Sequence, residues 1–356
     1  MDNTLSKIAN VYLNLRRLYE SFGYRKFAMH KFEEYSFYLE NKSFLPSESI
    51  ITFNDLHGRL MALKPDVTLS ILKNSIGREG PEKAYYRESV YRLDGKSGEY
   101  REIEQLGLEM INCSDIVSIT EMVTLAAKTL EEVDEDYVLC VADIDYLYGL
   151  LESLPGLTEE IKDRVFRSVR MKNPHELRAA LIEAGAEEGY ATAISDNILY
   201  SGNNRDGIDA VRKLVINDRM KESIDNISKM MSLIGENVKI KLDTPALGDI
   251  SYYNHLTLCG YVSKIPSAVL TGGCYDKLAN KFGKRCAAGF ALKLSDLNNY
   301  YGGKIAGDVD ILLLYNENSD IRAVLTEAEK LRSEGKSVRT ERQIPPGLSC
   351  GEMIRM

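Results

Sequence analysis

No stretch of the 356-residue chain approaches the roughly 20 consecutive apolar residues that a bilayer-crossing helix needs; Ile311 to Tyr315 is typical of the longest, and Asn316 ends it. A membrane protein is therefore not expected. The first residues lack the basic head, apolar stretch and small-residue cleavage site of a secretory signal, with charges from Asp2 and Lys7 onward, so the expected compartment is cytoplasmic. Cysteine pairs are missing too. Cys113, Cys140, Cys259, Cys274, Cys286 and Cys350 are scattered with no Cys-x-x-Cys spacing, which argues against a disulfide framework and against a zinc site. Histidine is scarce, and His30, His57, His175 and His255 show no metal-ligand spacing, so neither a metal nor a cofactor is expected. There is no internal repeat and no low-complexity tract. Basic residues are outnumbered, 45 against 53 acidic, giving a formal charge of −8, so no general field draws in polyanions.

What is present is a globular mixture, 44% hydrophobic and 28% charged, long enough at roughly 150 residues per domain for about two domains. Apolar residues at Leu5, Ile8, Tyr12, Leu15, Tyr19 and Phe22 fall on one face of a helix that Gly23 stops. Ile50 to Phe53 and Arg59 to Leu63 flank the turn-rich Asn54-Asp55-Leu56-His57-Gly58 and predict a hairpin. Two further strands are predicted at Ala84 to Leu93 and Arg101 to Ile111, with helices at Asp66 to Asn74 and Ile116 to Val133.

From about residue 150 to 236 the pattern turns helical and reads as an insertion. Asn173-Pro174-His175-Glu176 supplies a capping Asn, a Pro at the first helical position and a Glu placed to reach back to the cap, and Gly185 ends that helix. Met220, Ile224, Ile227, Met231 and Ile234 mark another helix, closed by Gly235. Sheet signals return at Val238 to Leu242 and His255 to Val262, then at Gly289 to Leu294. After Gly302 and Gly303, strand, helix and strand over Asp308 to Tyr315, Ser319 to Glu334 and Lys336 to Thr340 form a small βαβ-like tail.

Taken singly, the candidate site residues are ordinary. Leu63-Lys64-Pro65-Asp66-Val67-Thr68 suits a strand running into a helix with an acidic first turn, Gly272-Gly273 suits a tight turn, and Arg92 suits a salt-bridged strand. Their order is more specific. The hairpin leading to that segment is followed by Val90-Tyr91-Arg92 and by Tyr100-Arg101-Glu102 with Gln105, Gly107 and Glu109. The helical insertion comes next, then Tyr252-Tyr253, then Thr271-Gly272-Gly273-Cys274-Tyr275-Asp276 and Ala287-Ala288-Gly289-Phe290.

This order resembles the catalytic domain of histidyl-tRNA synthetases over about residues 1 to 300. The resemblance implies an α+β, class II aminoacyl-tRNA synthetase-like fold: an antiparallel sheet flanked by helices over residues 1–302, interrupted by the insertion, and a truncated α/β remnant over 303–356. It implies that Asp66, Thr68, Gln105, Glu109, Tyr253 and Tyr275 line a histidine-like amino-acid pocket, and that Arg92 is a vestigial clamp for the α-phosphate of ATP.

Three positions depart from the family's pattern. Where it has an arginine for the γ-phosphate, the chain has Asp296; where another arginine helps activate the histidine carboxylate, it has Gly248; and an arginine after the paired glycines is Cys274. At an effective dielectric near 20 a unit charge pair about 4 Å apart is worth roughly 4 kcal/mol, so exchanging attraction for repulsion at Asp296 weakens triphosphate binding severely. Such cation-to-anion contacts dominate this chemistry, and adenylation is expected to be lost.

These traits together resemble the regulatory subunits of ATP phosphoribosyltransferase. That resemblance implies no catalytic group of its own, a short-form catalytic subunit as partner in a hetero-oligomer, activation and histidine feedback in the first step of histidine biosynthesis, and a homodimer at the core. Histidine is then a candidate ligand, and tRNA is not an expected partner. The competing reading is an active histidyl-tRNA synthetase or related amino-acid ligase.

Overall fold

The computed structural model describes residues 7–45, 50–94, 97–198, 204–235, 238–246, 252–301 and 308–356. In chain order the strands are β1 (Arg25–Lys26), β2 (Phe32–Glu34), β3 (Thr52–Asn54), β4 (Leu60–Leu63), β5 (Glu82–Leu93), β6 (Tyr100–Ile111) and β7 (Tyr137–Asp143). They continue with β8 (Ile240–Leu242), β9 (Asn254–Val262), β10 (Leu270–Cys274), β11 (Ala287–Lys293), β12 (Val309–Leu314), β13 (Val338–Glu341) and β14 (Cys350–Arg355). The helices are α1 (Lys7–Ser21), α2 (Tyr35–Glu40), α3 (Thr68–Ser75), α4 (Ile116–Val133), α5 (Ile144–Glu152), α6 (Glu159–Arg170) and α7 (Pro174–Glu183). Then come α8 (Glu188–Ile198), α9 (Asn204–Arg212), α10 (Asp218–Leu233), α11 (Asp276–Lys281), α12 (Leu294–Tyr301) and α13 (Ile321–Ser333). Two compact units result, residues 14–295 and residues 1–13 with 296–356. No helix among the described residues is long and apolar enough to cross a membrane.

The larger unit is organised by an eight-stranded sheet in the order β1-β5-β6-β11-β10-β9-β7-β8. Its six central strands pair antiparallel, whereas β1 joins β5 and β8 joins β7 in parallel. Period-2 alternation divides the work of β6 between two faces. Leu106, Leu108 and Met110 are fully buried on one face, where α4 packs across the sheet and the Tyr19 ring of α1 meets Phe290 at 6.3 Å. Gln105 and Glu109 point to the other face, and that is where a site forms.

α4 starts where Asp115 accepts the backbone N–H groups of Val117 and Ser118, and it buries Met122, Leu125, Ala126 and Leu130 against the sheet. The β3–β4 hairpin is closed by Asp55, whose Oδ1 accepts N–H bonds from His57 and Arg59 at 2.8 and 2.9 Å. With β2 it makes a separate sheet, β2-β4-β3, and β4 delivers the chain to Lys64-Pro65-Asp66 and α3.

Helices α5 to α10 lie between β7 and β8 in the chain and share a core that includes Leu147, Leu150, Phe166, Leu177, Leu181, Ile194, Met220 and Ile224. Asn173 caps α7 by accepting the Glu176 N–H at 3.1 Å, Pro174 takes the first position, and Gly185 follows the helix at φ 92°. The expected reach of the Glu176 carboxylate back to the cap is replaced by an ion pair with Arg164 on α6 at 2.9 Å, because a guanidinium stands within reach. In α10 Met230 is buried and Met231 only half-buried, a small rotation from the expected stripe.

The smaller unit contains the expected βαβ, formed by β12, α13 and β13, with Asp320 capping α13 and Gly335 following it at φ 83°. It also contains β14, which pairs parallel with β12 to give the order β13-β12-β14. β14 is mostly exposed, so no apolar alternation announces it in the sequence.

Candidate functional site

Several elements converge on one cavity of about 240 Å³ that holds all seven residues singled out above. β4 runs into Pro65-Asp66-Val67, and Asp66 Oδ1 accepts the Leu69 N–H at 2.9 Å, which fixes the carboxylate at the entrance of α3. Near the end of β5, Arg92 donates through Nε to the Pro65 carbonyl at 2.7 Å, with Nη2 3.5 Å from Asp66 Oδ2. Gln105 and Glu109 share a face of β6, and both are buried. Tyr252 and Tyr253 precede β9, their rings 5.0 Å apart, and Tyr252 lies 5.7 Å from the ring of Tyr275 at the head of α11.

The floor is built by deletion of side chains. In register across the sheet, Glu109 faces Gly289, which faces Gly273. A Cβ at Gly289 would collide with the Glu109 carboxylate and the Leu108 carbonyl. A Cβ at Gly107 would strike the Phe290 carbonyl and the Tyr86 ring. The glycines therefore admit a long acidic side chain and a ring where the sheet would otherwise be filled.

Glu109 is the electrostatic centre of the cavity. Its Oε1 accepts the Thr68 hydroxyl at 2.7 Å, and its Oε2 accepts the hydroxyl of Tyr275. Burial pushes its carboxyl up to about 8; the Tyr275 and Thr68 hydroxyls oppose that rise and the charge of Asp66 adds to it. Burial also raises Asp66, with Arg92 and the backbone N–H groups of Leu69 and Thr68 pulling the other way. Burial lifts Tyr86, Tyr252 and Tyr275 far above the ordinary phenol range, so they remain neutral. Arg92 is the one cationic side chain lining the cavity among the described residues. Two carboxyl groups, one amide and several hydroxyls suit a ligand that brings N–H donors or positive charge, with ring faces for an apolar or aromatic part.

Sequence reasoning did not assign Tyr86, Thr271, Gly289 or Phe290 to this cavity. The period-2 register would have placed Tyr86 opposite Gly107, but only once the β5–β6 pairing is known. Cys274 lies elsewhere: it is buried and lines a second cavity with Cys113 and Cys286. Asp296 is in the first turn of α12. Gly248 is outside the described residues. Also among the described residues, no three His, Cys, Asp or Glu side chains are grouped so as to hold a metal ion.

The family described as Histidyl-tRNA synthetase matches residues 2–297. A protein of Ruminiclostridium cellulolyticum named ATP phosphoribosyltransferase regulatory subunit is 25% identical over 350 residues, covering 92% of this chain and 80% of that relative. A solved structure from Bacillus halodurans C, titled an ATP phosphoribosyltransferase regulatory subunit/histidyl-tRNA synthetase, superposes with a TM-score of 0.76 at 21% identity, covering 100% of this chain and 96% of that one. A chain of the ATP phosphoribosyl transferase (HisG:HisZ) complex from Thermotoga maritima superposes with a TM-score of 0.63 at 16% identity, over 81% of this chain and 97% of that one.

Proposed function

The chain belongs to the histidyl-tRNA synthetase family, and from that membership we propose that it is the regulatory subunit of ATP phosphoribosyltransferase, acting in histidine biosynthesis beside a separate, short catalytic subunit. One observation carries the proposal: a relative bearing that name aligns along 92% of the chain. The likeness to a chain of the Thermotoga maritima complex supports the same reading.

The cavity gives the regulatory role a physical basis. Histidine brings an ammonium and an imidazole, and Asp66, Glu109 and Gln105 offer the acceptors that both require. A pocket that holds the amino acid and does not consume it reports its concentration, provided the ligand binds two states of the assembly unequally. Aminoacylation is lost in this reading. Asp296 stands where the family places a phosphate-binding arginine, the Cys274 position carries a buried neutral thiol, and Arg92 is left to serve phosphate alone while also engaged by Asp66. The chain contributes no catalytic group, acts in the cytoplasm and self-associates as a homodimer within the complex.

The test is assembly. Mixed with a short-form catalytic subunit, the chain is expected to co-elute in size-exclusion chromatography as one hetero-oligomer whose mass exceeds that of either component. Separate elution at micromolar concentration contradicts the proposal.

A further inference from the structure

The second cavity is larger than the first, about 360 Å³, and none of its lining residues lines the Glu109 pocket. Ala287 and Ala288 line it, whereas Gly289, Phe290 and Ala291 line the other pocket, so the two adjoin successive stretches of β11. Its roof comes from two helices, with Ile119 on α4 and Asn226, Ile227 and Met230 on α10.

The lining mixes two kinds of group. The roof aliphatics and three thiols, Cys113, Cys274 and Cys286, are apolar or soft. Burial pushes the Cys113 and Cys274 thiols up, so they stay protonated and act as soft apolar wall and not as nucleophiles. Asp143, Asp276 and His255 are its titratable polar members, and among the described residues no lysine or arginine lines the cavity.

Two cationic groups near these carboxyls are already engaged. Arg219 pairs with Asp145 and Glu152. His255, held at φ 58°, directs Nδ1 to Asp145 and places Nε2 3.5 Å from Asp276 Oδ2. Asp143 is only 8% exposed, and its Oδ1 accepts the Asp145 N–H at 2.9 Å to cap α5. Burial pushes its carboxyl up to about 6, which still leaves it ionised at neutral pH. Asp143 shares His255 with Asp145 and Asp276, and a buried carboxylate short of positive charge is costly unless a further cation joins it.

We propose that this chamber is a ligand site for a small organic cation, a protonated amine seated at Asp143 and Asp276 with its apolar body between α4 and α10. The occupant would tie α10, the last helix of the α5–α10 block, to the sheet. The site is independent of the histidine reading of the other pocket.

Phenethylamine and its anionic counterpart 3-phenylpropionate, titrated into the full chain at pH 7.5 by isothermal calorimetry, test this directly. The amine is expected to bind at least tenfold more tightly than the carboxylate. Asp143→Asn keeps the cap acceptor and the volume, and is expected to weaken the amine at least tenfold; Glu159→Gln, at the exposed start of α6 and outside both cavities, is expected to leave it unchanged. If Asp143→Asn does not fold by circular dichroism, Asp276→Asn is expected to give the same loss. Equal binding of amine and carboxylate, no binding at millimolar concentration, or a loss on Glu159→Gln in place of the aspartate variants overturns the proposal.

Discussion

The Glu109 carboxylate occupies the space left by the absent side chain of Gly289, its register partner across the β6–β11 pair. This arrangement brings a long acidic group, fully enclosed, to the centre of a sheet face. Thr68 and Tyr275, far apart in the chain, then meet on its two oxygens.

Gly289→Ala is expected to displace that carboxylate and break at least one of the two hydroxyl bonds. Overpacking a buried site costs about 1–3 kcal/mol. Urea denaturation should show a loss in that range, with histidine binding abolished in the fraction that remains folded.

Glu109 sets a pH dependence. Its folded carboxyl holds its proton up to about 8, against an ordinary value of 4.5, so the native state binds more protons than the unfolded state between those limits. Stability from this group is therefore full below about 4.5 and declines as pH rises toward 8. Glu109→Gln is expected to flatten the fall in unfolding free energy between pH 5 and 8. A cationic ligand favours the ionised form, so its binding should release a proton in wild type, measured by calorimetry in buffers of different ionisation enthalpy, and not in the variant.

Arg92 opposes the upward pull of burial on Asp66. Arg92→Gln removes that opposition and leaves the Pro65 carbonyl without its guanidinium donor, at about 1–3 kcal/mol. The loss should be larger at pH 7.5 than at pH 5, where Asp66 is more readily protonated, and denaturation curves at the two values measure it.

Charge decides the ligase question. Pyrophosphate exchange with ATP is expected to show no histidine-dependent rate above the protein-free control, because Asp296 and Cys274 stand where the family resemblance implies cations. A histidine-dependent signal would restore the competing reading.

Much of this was legible before the fold was known, for identifiable reasons. The Asn173-Pro174 helix start is fixed by local capping, which a sequence displays directly, and the long β5 and β6 strands show as runs of strand-forming residues. The seven pocket residues were found only because a family resemblance supplied the register that brings Asp66, Arg92, Glu109 and Tyr275 together. Tyr86 and Gly289 stayed hidden, since their roles depend on which strand lies opposite them. β14 was invisible because its exposed residues carry no pattern, and Glu176 went to Arg164 because tertiary proximity outweighed a local cap.

The most direct measurement is the turnover of a short catalytic phosphoribosyltransferase subunit from ATP and phosphoribosyl pyrophosphate, with and without this chain and with and without histidine. The account expects a clear rise in rate on adding the chain, and inhibition by histidine that depends on its presence and is lost in Glu109→Gln. A catalytic subunit equally active and equally histidine-sensitive alone would contradict it.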